Sequence, residues 1–265
     1  MRFGCCGCMI SPGKDPIGIE IIETLSKAGY DYIELSLSHM AELTRTRFLE
    51  LRKRIEASGL KCEACNNFVP GEVRLTGENV NMDSVMHYVR KALKRAAELE
   101  TEIVVFGSAG ARNVPDGFPK EKAFEQLVDF LNLAAPEAGQ YGITLVIECL
   151  NKGESNIINS LEEGLRLLKQ VNKDNVMLLV DYYHFSLENE KPEILLSMGD
   201  YISHVHFANV ENRKFPKDIK EQPYLPFIDA LKKTGYDGRV SIEAYTRNFS
   251  GDLKASLRFL RENFL

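Results

Sequence analysis

Eight times along this chain, a short run of apolar and β-branched residues gives way to a longer stretch with apolar residues three or four positions apart. The first pattern suits a strand buried on both faces; the second suits a helix with one apolar face. Strands that alternate with helices pair in parallel, because the chain returns along each helix before the next strand begins. The predicted strands are Arg2–Cys8, Tyr32–Leu37, Lys61–Asn66, Ile103–Gly107, Thr144–Cys149, Val176–Asp181, Ile202–Phe207 and Val240–Tyr245. The predicted helices are Pro16–Ala28, Thr46–Ala57, Val85–Leu99, Glu121–Ala138, Ser160–Val171, Pro192–Leu196, Leu225–Thr234 and Leu253–Asn263. Glycine follows several of them, as at Gly29, Gly59, Gly142 and Gly235, where a helix ends in a left-handed residue.

Eight such units, at roughly 34 residues each, match the size of a (β/α)8 barrel. A doubly wound sheet would need a reversal of strand order and usually a G-x-G-x-x-G first turn. The first turn here reads Cys8-Met9-Ile10-Ser11-Pro12-Gly13. No low-complexity stretch or linker divides the chain. The expected fold class is therefore α/β, a (β/α)8 TIM barrel, with residues 1–265 as one domain.

Composition narrows the partners. With 44% hydrophobic residues the chain can bury a large core, and a net charge of −5 argues against a general attraction to nucleic acid. No apolar run reaches membrane-spanning length, and Met1-Arg2-Phe3 leads into strand-like sequence without a signal-peptide layout. A cytoplasmic protein with no membrane partner is expected, with homo-oligomer formation left open. The six cysteines are expected to be reduced thiols. Cys62 and Cys65 read as small apolar residues of a strand, and Cys5, Cys6 and Cys8 as the lining of a barrel end.

Four of the strand-like runs end in a metal-ligating side chain: LVIE ends at Glu148, LLVD at Asp181, VH at His206 and VSIE at Glu243. A charge closing an apolar run is costly unless it meets a partner. Taken singly, each reads as a strand-end ion pair or a cap on the following helix. In a barrel, however, the downstream ends of all strands face one mouth, and these four lie on consecutive strands. Three carboxylates and an imidazole would then converge on one divalent ion. That donor set suits Mn2+, Co2+ or Mg2+, with Zn2+ less favoured.

The loops beyond these ends add further groups. Glu154 lies six residues after Glu148, His184 three after Asp181, and Arg213 seven after His206. His204 alternates with His206 and shares its face, with a structural place deeper in the barrel expected. His39 and His87 are expected at the surface.

The segments E148-C-L-N-K-G-E154, D181-Y-Y-H184, H204-V-H206 with Asn212-Arg213, and S241-I-E243 resemble the xylose isomerase-like barrel superfamily. The likeness is strongest to its sugar isomerase and epimerase branch, which includes D-tagatose 3-epimerase and hydroxypyruvate isomerase, and it covers nearly the whole chain. The resemblance implies that Glu148, Asp181, His206 and Glu243 bind one divalent metal, Mn2+ before the others. It implies that Glu148 and Glu243 are the catalytic acid–base pair, and that Glu154, His184 and Arg213 contact the substrate. The implied function is a sugar isomerase or epimerase of the ketose 3-epimerase kind. The glutamates would transfer protons through an enediolate stabilised by the metal.

Two related chemistries use the same parts. A hydroxypyruvate isomerase would bind a three-carbon hydroxy-keto acid, with Arg213 or Arg112 meeting the carboxylate. An inosose-type dehydratase would expel water after the same proton abstraction. An AP endonuclease of the endonuclease IV kind is less favoured. Ser108 and Ala109 follow strand four where a histidine would be wanted, and no Asp-x-His pair follows strand seven. The last loop carries Asp252 at its helix start, so a non-phosphorylated substrate is expected.

Overall fold

The structure, a computed structural model, describes residues 1–10 and 15–265. The part of the first turn at Ser11–Gly13 lies outside the described residues. Among the described residues, eight parallel strands each pair with the next in sequence, and the last pairs with the first to close a barrel. They are β1 Arg2–Cys6, β2 Tyr32–Ser36, β3 Ala64–Asn66, β4 Ile103–Phe106, β5 Thr144–Glu148, β6 Val176–Asp181, β7 Ile202–Phe207 and β8 Arg239–Ile242. The expected fold class is the observed one.

Period-two alternation divides each strand between two cores. Tyr32, Ala64, Ile103, Val105, Val146 and Leu179 fill the barrel interior. Their neighbours Ile33, Cys65, Val104, Leu145, Ile147, Leu178 and Val180 face the helices in the larger cluster. The helical layer includes Ile22–Ala28, Arg45–Ser58, Met82–Glu98, Lys120–Gly139, Leu161–Val171, Tyr224–Lys233 and Phe249–Phe264, with a 3-10 turn at Pro192–Ser197 between β6 and β7. Side-chain caps fix several starts: Thr44 accepts from the Arg47 amide, Asn81 from Ser84 and Ser160 from Glu163.

Boundaries differ from the expected ones for local reasons. β1 stops at Cys6 because Gly7–Ile10 turns into a short helix. β3 covers only Ala64–Asn66, half the expected length. β8 ends at Ile242, opposite the last residue of β7, and the residues beyond it bond to Phe207 and to the loop after β7. The Glu243 amide donates to the Phe207 carbonyl at 3.2 Å, and the Tyr245 amide to that of Arg213 at 2.7 Å. Short helices at Leu37–Ala41, Ala109–Arg112 and Tyr182–Leu187 also follow strand ends, in segments where no helix was predicted. No helix among the described residues is long and apolar enough to cross a membrane.

Candidate metal centre

The four strand-end residues meet. Glu148 closes β5, Asp181 closes β6, His206 sits one residue inside the end of β7, and Glu243 follows β8 directly. One ligand atom from each lies within 4.8 Å of all the others. All four side chains are buried.

His206 is held at both ring nitrogens. Its Nδ1 lies 3.2 Å from Glu148 Oε1 and 3.1 Å from Glu243 Oε2, while its Nε2 lies 2.9 Å from Glu34 Oε1. Asp181 divides its carboxylate between two tasks. Oδ1 accepts the Tyr183 amide at 2.8 Å and caps the short helix after β6, which is the ordinary role of an Asp there. Oδ2 faces the mouth, 3.1 Å from Arg213 Nη2 and 3.5 Å from His184 Nε2.

Arg213 reaches into the carboxylates from the loop after β7. Its Nη2 also bonds Glu243 Oε2, its Nη1 lies 3.5 Å from Glu154 Oε1, and its guanidinium lies 4.6 Å from the centre of the Tyr183 ring. Asn212 and Arg213 both have positive φ, 58° and 47°. Two consecutive non-glycine residues in that region are strained, and the ion pairs of Arg213 hold them there. His184 is set by its neighbour: the Asn151 amide can only donate, and it meets His184 Nδ1 at 3.3 Å. The ring proton therefore sits on Nε2, the nitrogen facing Asp181. Glu154 is the most exposed member, at 41% for its side chain, and lies at the rim.

The electrostatics are asymmetric. Burial and the charge of Glu243 push the Glu148 carboxyl above its usual range, and burial raises Asp181. Burial also works to raise Glu243, but His206 and Arg213 outweigh it and hold Glu243 well below the usual range. Burial lowers the pKa of His184, which favours its neutral form. For His206 the carboxylates of Glu34 and Glu243 overcome burial and raise it. The buried carboxylates Glu34, Glu148, Asp181 and Glu243 thus face the Arg213 guanidinium and the imidazoles of His184, His204 and His206. With Nε2 committed to Glu34, Nδ1 turns a lone pair toward two carboxylate oxygens. That geometry calls for a cation between them, either a proton or a metal ion. Three oxygens and one nitrogen at this spacing fit a divalent ion.

Several neighbours were passed over by a reading of strand ends. Glu34 lies inside β2 and supports His206 from below. Asn66, at the end of β3, donates to Glu243 Oε1 at 3.2 Å. Gly107 leaves room for Glu148, as a Cβ there would overlap Glu148 Oε2. The sequence does carry a signal for Glu34: alternation in Tyr32-Ile33-Glu34-Leu35-Ser36 puts it on the inner face with Tyr32.

The remaining expectations sort cleanly. His204 is fully buried, with Nε2 2.9 Å from Glu34 Oε2, in the deeper structural place expected. His39 and His87 are exposed. All six cysteines are free; Cys62 and Cys65 are buried side by side, and Cys6 lies against His206 at 3.9 Å. Arg112, the other candidate partner for a substrate carboxylate, follows β4 in a short helix. Its side chain is fully buried and its Nη1 bonds the Phe106 carbonyl at 3.0 Å, while its Nε and Nη2 have no partner among the described residues.

The chain is similar to D-psicose 3-epimerase of Agrobacterium fabrum, 24% identical over 246 residues, covering 91% of this chain and 83% of the relative. It is also similar to L-ribulose 3-epimerase of Methylomonas sp., 26% identical over 226 residues, covering 83% and 76%. Among solved structures, D-psicose 3-epimerase with D-tagatose from Clostridium cellulolyticum H10 superposes with a TM-score of 0.87. Its identity is 21%, and the match covers 100% of this chain and 99% of that one. The family model described as "Xylose isomerase-like TIM barrel" matches residues 22–263. The chain belongs to the xylose isomerase-like TIM barrel family.

Proposed function

We propose that this enzyme, a single domain over residues 1–265, is a ketose 3-epimerase that uses one divalent ion, Mn2+ by preference. The observation that carries the reading is the placement of two buried carboxylates, Glu148 and Glu243, at 3.2 and 3.1 Å from the same imidazole nitrogen. The relatives named D-psicose 3-epimerase and L-ribulose 3-epimerase, aligned over most of the chain, support it.

Glu148, Asp181, His206 and Glu243 would hold the ion. When bound, it supplies positive charge that offsets the charge developing on the substrate carbonyl oxygen. The chain's own groups do the rest. One glutamate takes the proton from the carbon beside the carbonyl, so that the C–H electron pair passes toward the carbonyl oxygen. The other, protonated, returns a proton to the same carbon from the opposite face. The reverse reaction exchanges their roles, so each must serve as acid and as base. Arg213 and the Nε2–H of His184 offer donors to substrate oxygens at the edge of the site, and Glu154 accepts at the rim. Asp252, an acidic residue in the first turn of the last helix, disfavours a phosphate there and so favours a substrate without one.

The test is incubation with a panel of ketoses and Mn2+ in heavy water. Deuterium at C3 together with the C3 epimer is expected. Glu148→Gln and Glu243→Gln should each abolish exchange while the protein stays folded. Exchange ending in an aldose, or seen only with hydroxypyruvate, would replace epimerisation with isomerisation. Cleavage of abasic DNA without any exchange would sink the proposal.

A further inference from the structure

Beneath the four converging residues lies a second polar layer that the proposed reaction does not use. Glu34, midway along β2, is fully buried in the barrel interior. Its carboxylate meets three groups. Oε1 faces His206 Nε2 at 2.9 Å; Oε2 accepts from the Ser241 hydroxyl at 2.6 Å and faces His204 Nε2 at 2.9 Å. Ser241 in turn lies 2.8 Å from the Tyr32 hydroxyl. Among the described residues, His204 Nδ1 has no hydrogen-bond partner.

The protons in this layer can be placed by elimination. An ionised carboxylate only accepts, so each of its three partners must donate. His206 therefore carries its proton on Nε2, and His204 does the same. The second nitrogen of His204 is left bare in the protein interior. The second nitrogen of His206 faces the mouth between Glu148 and Glu243, where a proton or a metal ion can take its lone pair. A histidine can serve a metal at Nδ1 only with this tautomer, and the neutral tautomer is set by what the other nitrogen meets.

We infer that Glu34 is a positioning residue: by accepting the Nε2–H of His206 it presents Nδ1 as a metal donor. This rests on the proposal that Glu148, Asp181, His206 and Glu243 hold a divalent ion. It goes beyond that proposal by assigning a role to a residue that touches neither metal nor substrate. Glu34→Gln preserves size but offers one acceptor and one NH2. If the NH2 turns to His206, the ring proton is driven to Nδ1 and blocks it. If the amide oxygen turns to His206, it accepts more weakly than a carboxylate and leaves the ring a poorer donor. Both arrangements weaken the same ligand.

Mn2+ binding to the chelator-stripped protein, followed by calorimetry beside thermal melting of the same metal-free samples, tests the inference. The wild type should bind about one ion per chain, and Glu34→Gln should bind roughly 10–100-fold more weakly. A wild type that takes up no Mn2+ defeats the metal reading itself. A wild type that binds, beside a folded Glu34→Gln that binds equally well, defeats only the inference. So does a loss of melting temperature with unchanged affinity, since that marks a role in stability alone. The wild type loaded with Zn2+ supplies a check that needs no variant. In its imidazole 15N spectrum, His206 should show a protonated Nε2 and a metal-bound Nδ1. A proton on Nδ1, or metal on Nε2, overturns the assignment.

Discussion

Gly107→Ala offers a sharp test of how Glu148 is placed. Gly107 directly follows β4 and is buried. Its φ is not positive, so alanine meets no backbone strain there. The obstacle is space. A Cβ would overlap Glu148 Oε2 and stand 3.2 Å from Glu148 Cδ and 3.8 Å from Glu148 Cβ. Restoring van der Waals separation requires the carboxylate to retreat by about 1 Å. Glu148 Oε1, 3.2 Å from His206 Nδ1, moves with it. A reacting group misplaced by about 1 Å loses on the order of 100-fold in rate, or roughly 2.7 kcal/mol of transition-state stabilisation.

The effect on folding should be no larger, because two terms partly cancel. Replacing glycine reduces the freedom of the unfolded chain by about 0.4–1 kcal/mol in favour of folding. Overpacking costs about 1–3 kcal/mol the other way. The melting temperature should fall by no more than about 10 °C. The assay is deuterium uptake by the substrate ketose with Mn2+ in excess, run beside circular-dichroism melts. A variant that exchanges at the wild-type rate would show that Glu148 has a second, equally productive position. The claim that the Gly107 surface sets its place would then be wrong.

Two further outcomes concern the rest of the barrel. At the end opposite the mouth, Glu63 is paired with Arg2 and lies 2.6 Å from Arg239 Nε; burial raises its pKa, but the two guanidinium groups outweigh that and lower it. A lowered carboxyl stabilises the fold fully above its unfolded value of about 4.3, and that contribution fades as pH falls through the folded value. Urea unfolding should therefore find Glu63→Gln less stable than the wild type at neutral pH, with the gap closing in acid; a gap independent of pH would contradict this. Thiol titration should count all six cysteines in denaturant and almost none in the native protein. Five are buried, and burial pushes the partly exposed Cys8 thiol up to about 12, where little thiolate forms.

The architecture was legible because it repeats. Eight apolar runs with eight amphipathic partners leave few topologies, and every predicted strand overlaps an observed one. The illegible part was local. Tyr182–Leu187 has six residues and Ala109–Arg112 four, too few turns to display a helical period against the background of the loop. Beyond Ile242, where β8 stops short of Tyr245, the chain bonds to Phe207 and to the loop after β7, distant in sequence. No pattern within Val240–Tyr245 could announce it.

The site divides along a similar line. A strand end is visible as the place where an apolar run stops, so Glu148, Asp181 and Glu243 announce themselves by being charged there. Glu34 does not, because Ile33 and Leu35 flank it and the run continues to Ser36. It lies deeper than the mouth, and its reason for being charged is on another strand, at His204 and His206 of β7. The two layers explain each other. A buried Glu34 alone would be a costly charge, and so would three carboxylates at the mouth. His206 stands between them with a carboxylate below and two above; once its Nε2–H satisfies the lower one, its upper nitrogen needs a proton or a metal ion to meet the other two. A positive charge at that nitrogen answers both layers at once. The stacking of charge through one imidazole, rather than the number of carboxylates at the rim, is the strongest physical reason to expect a cation in this barrel.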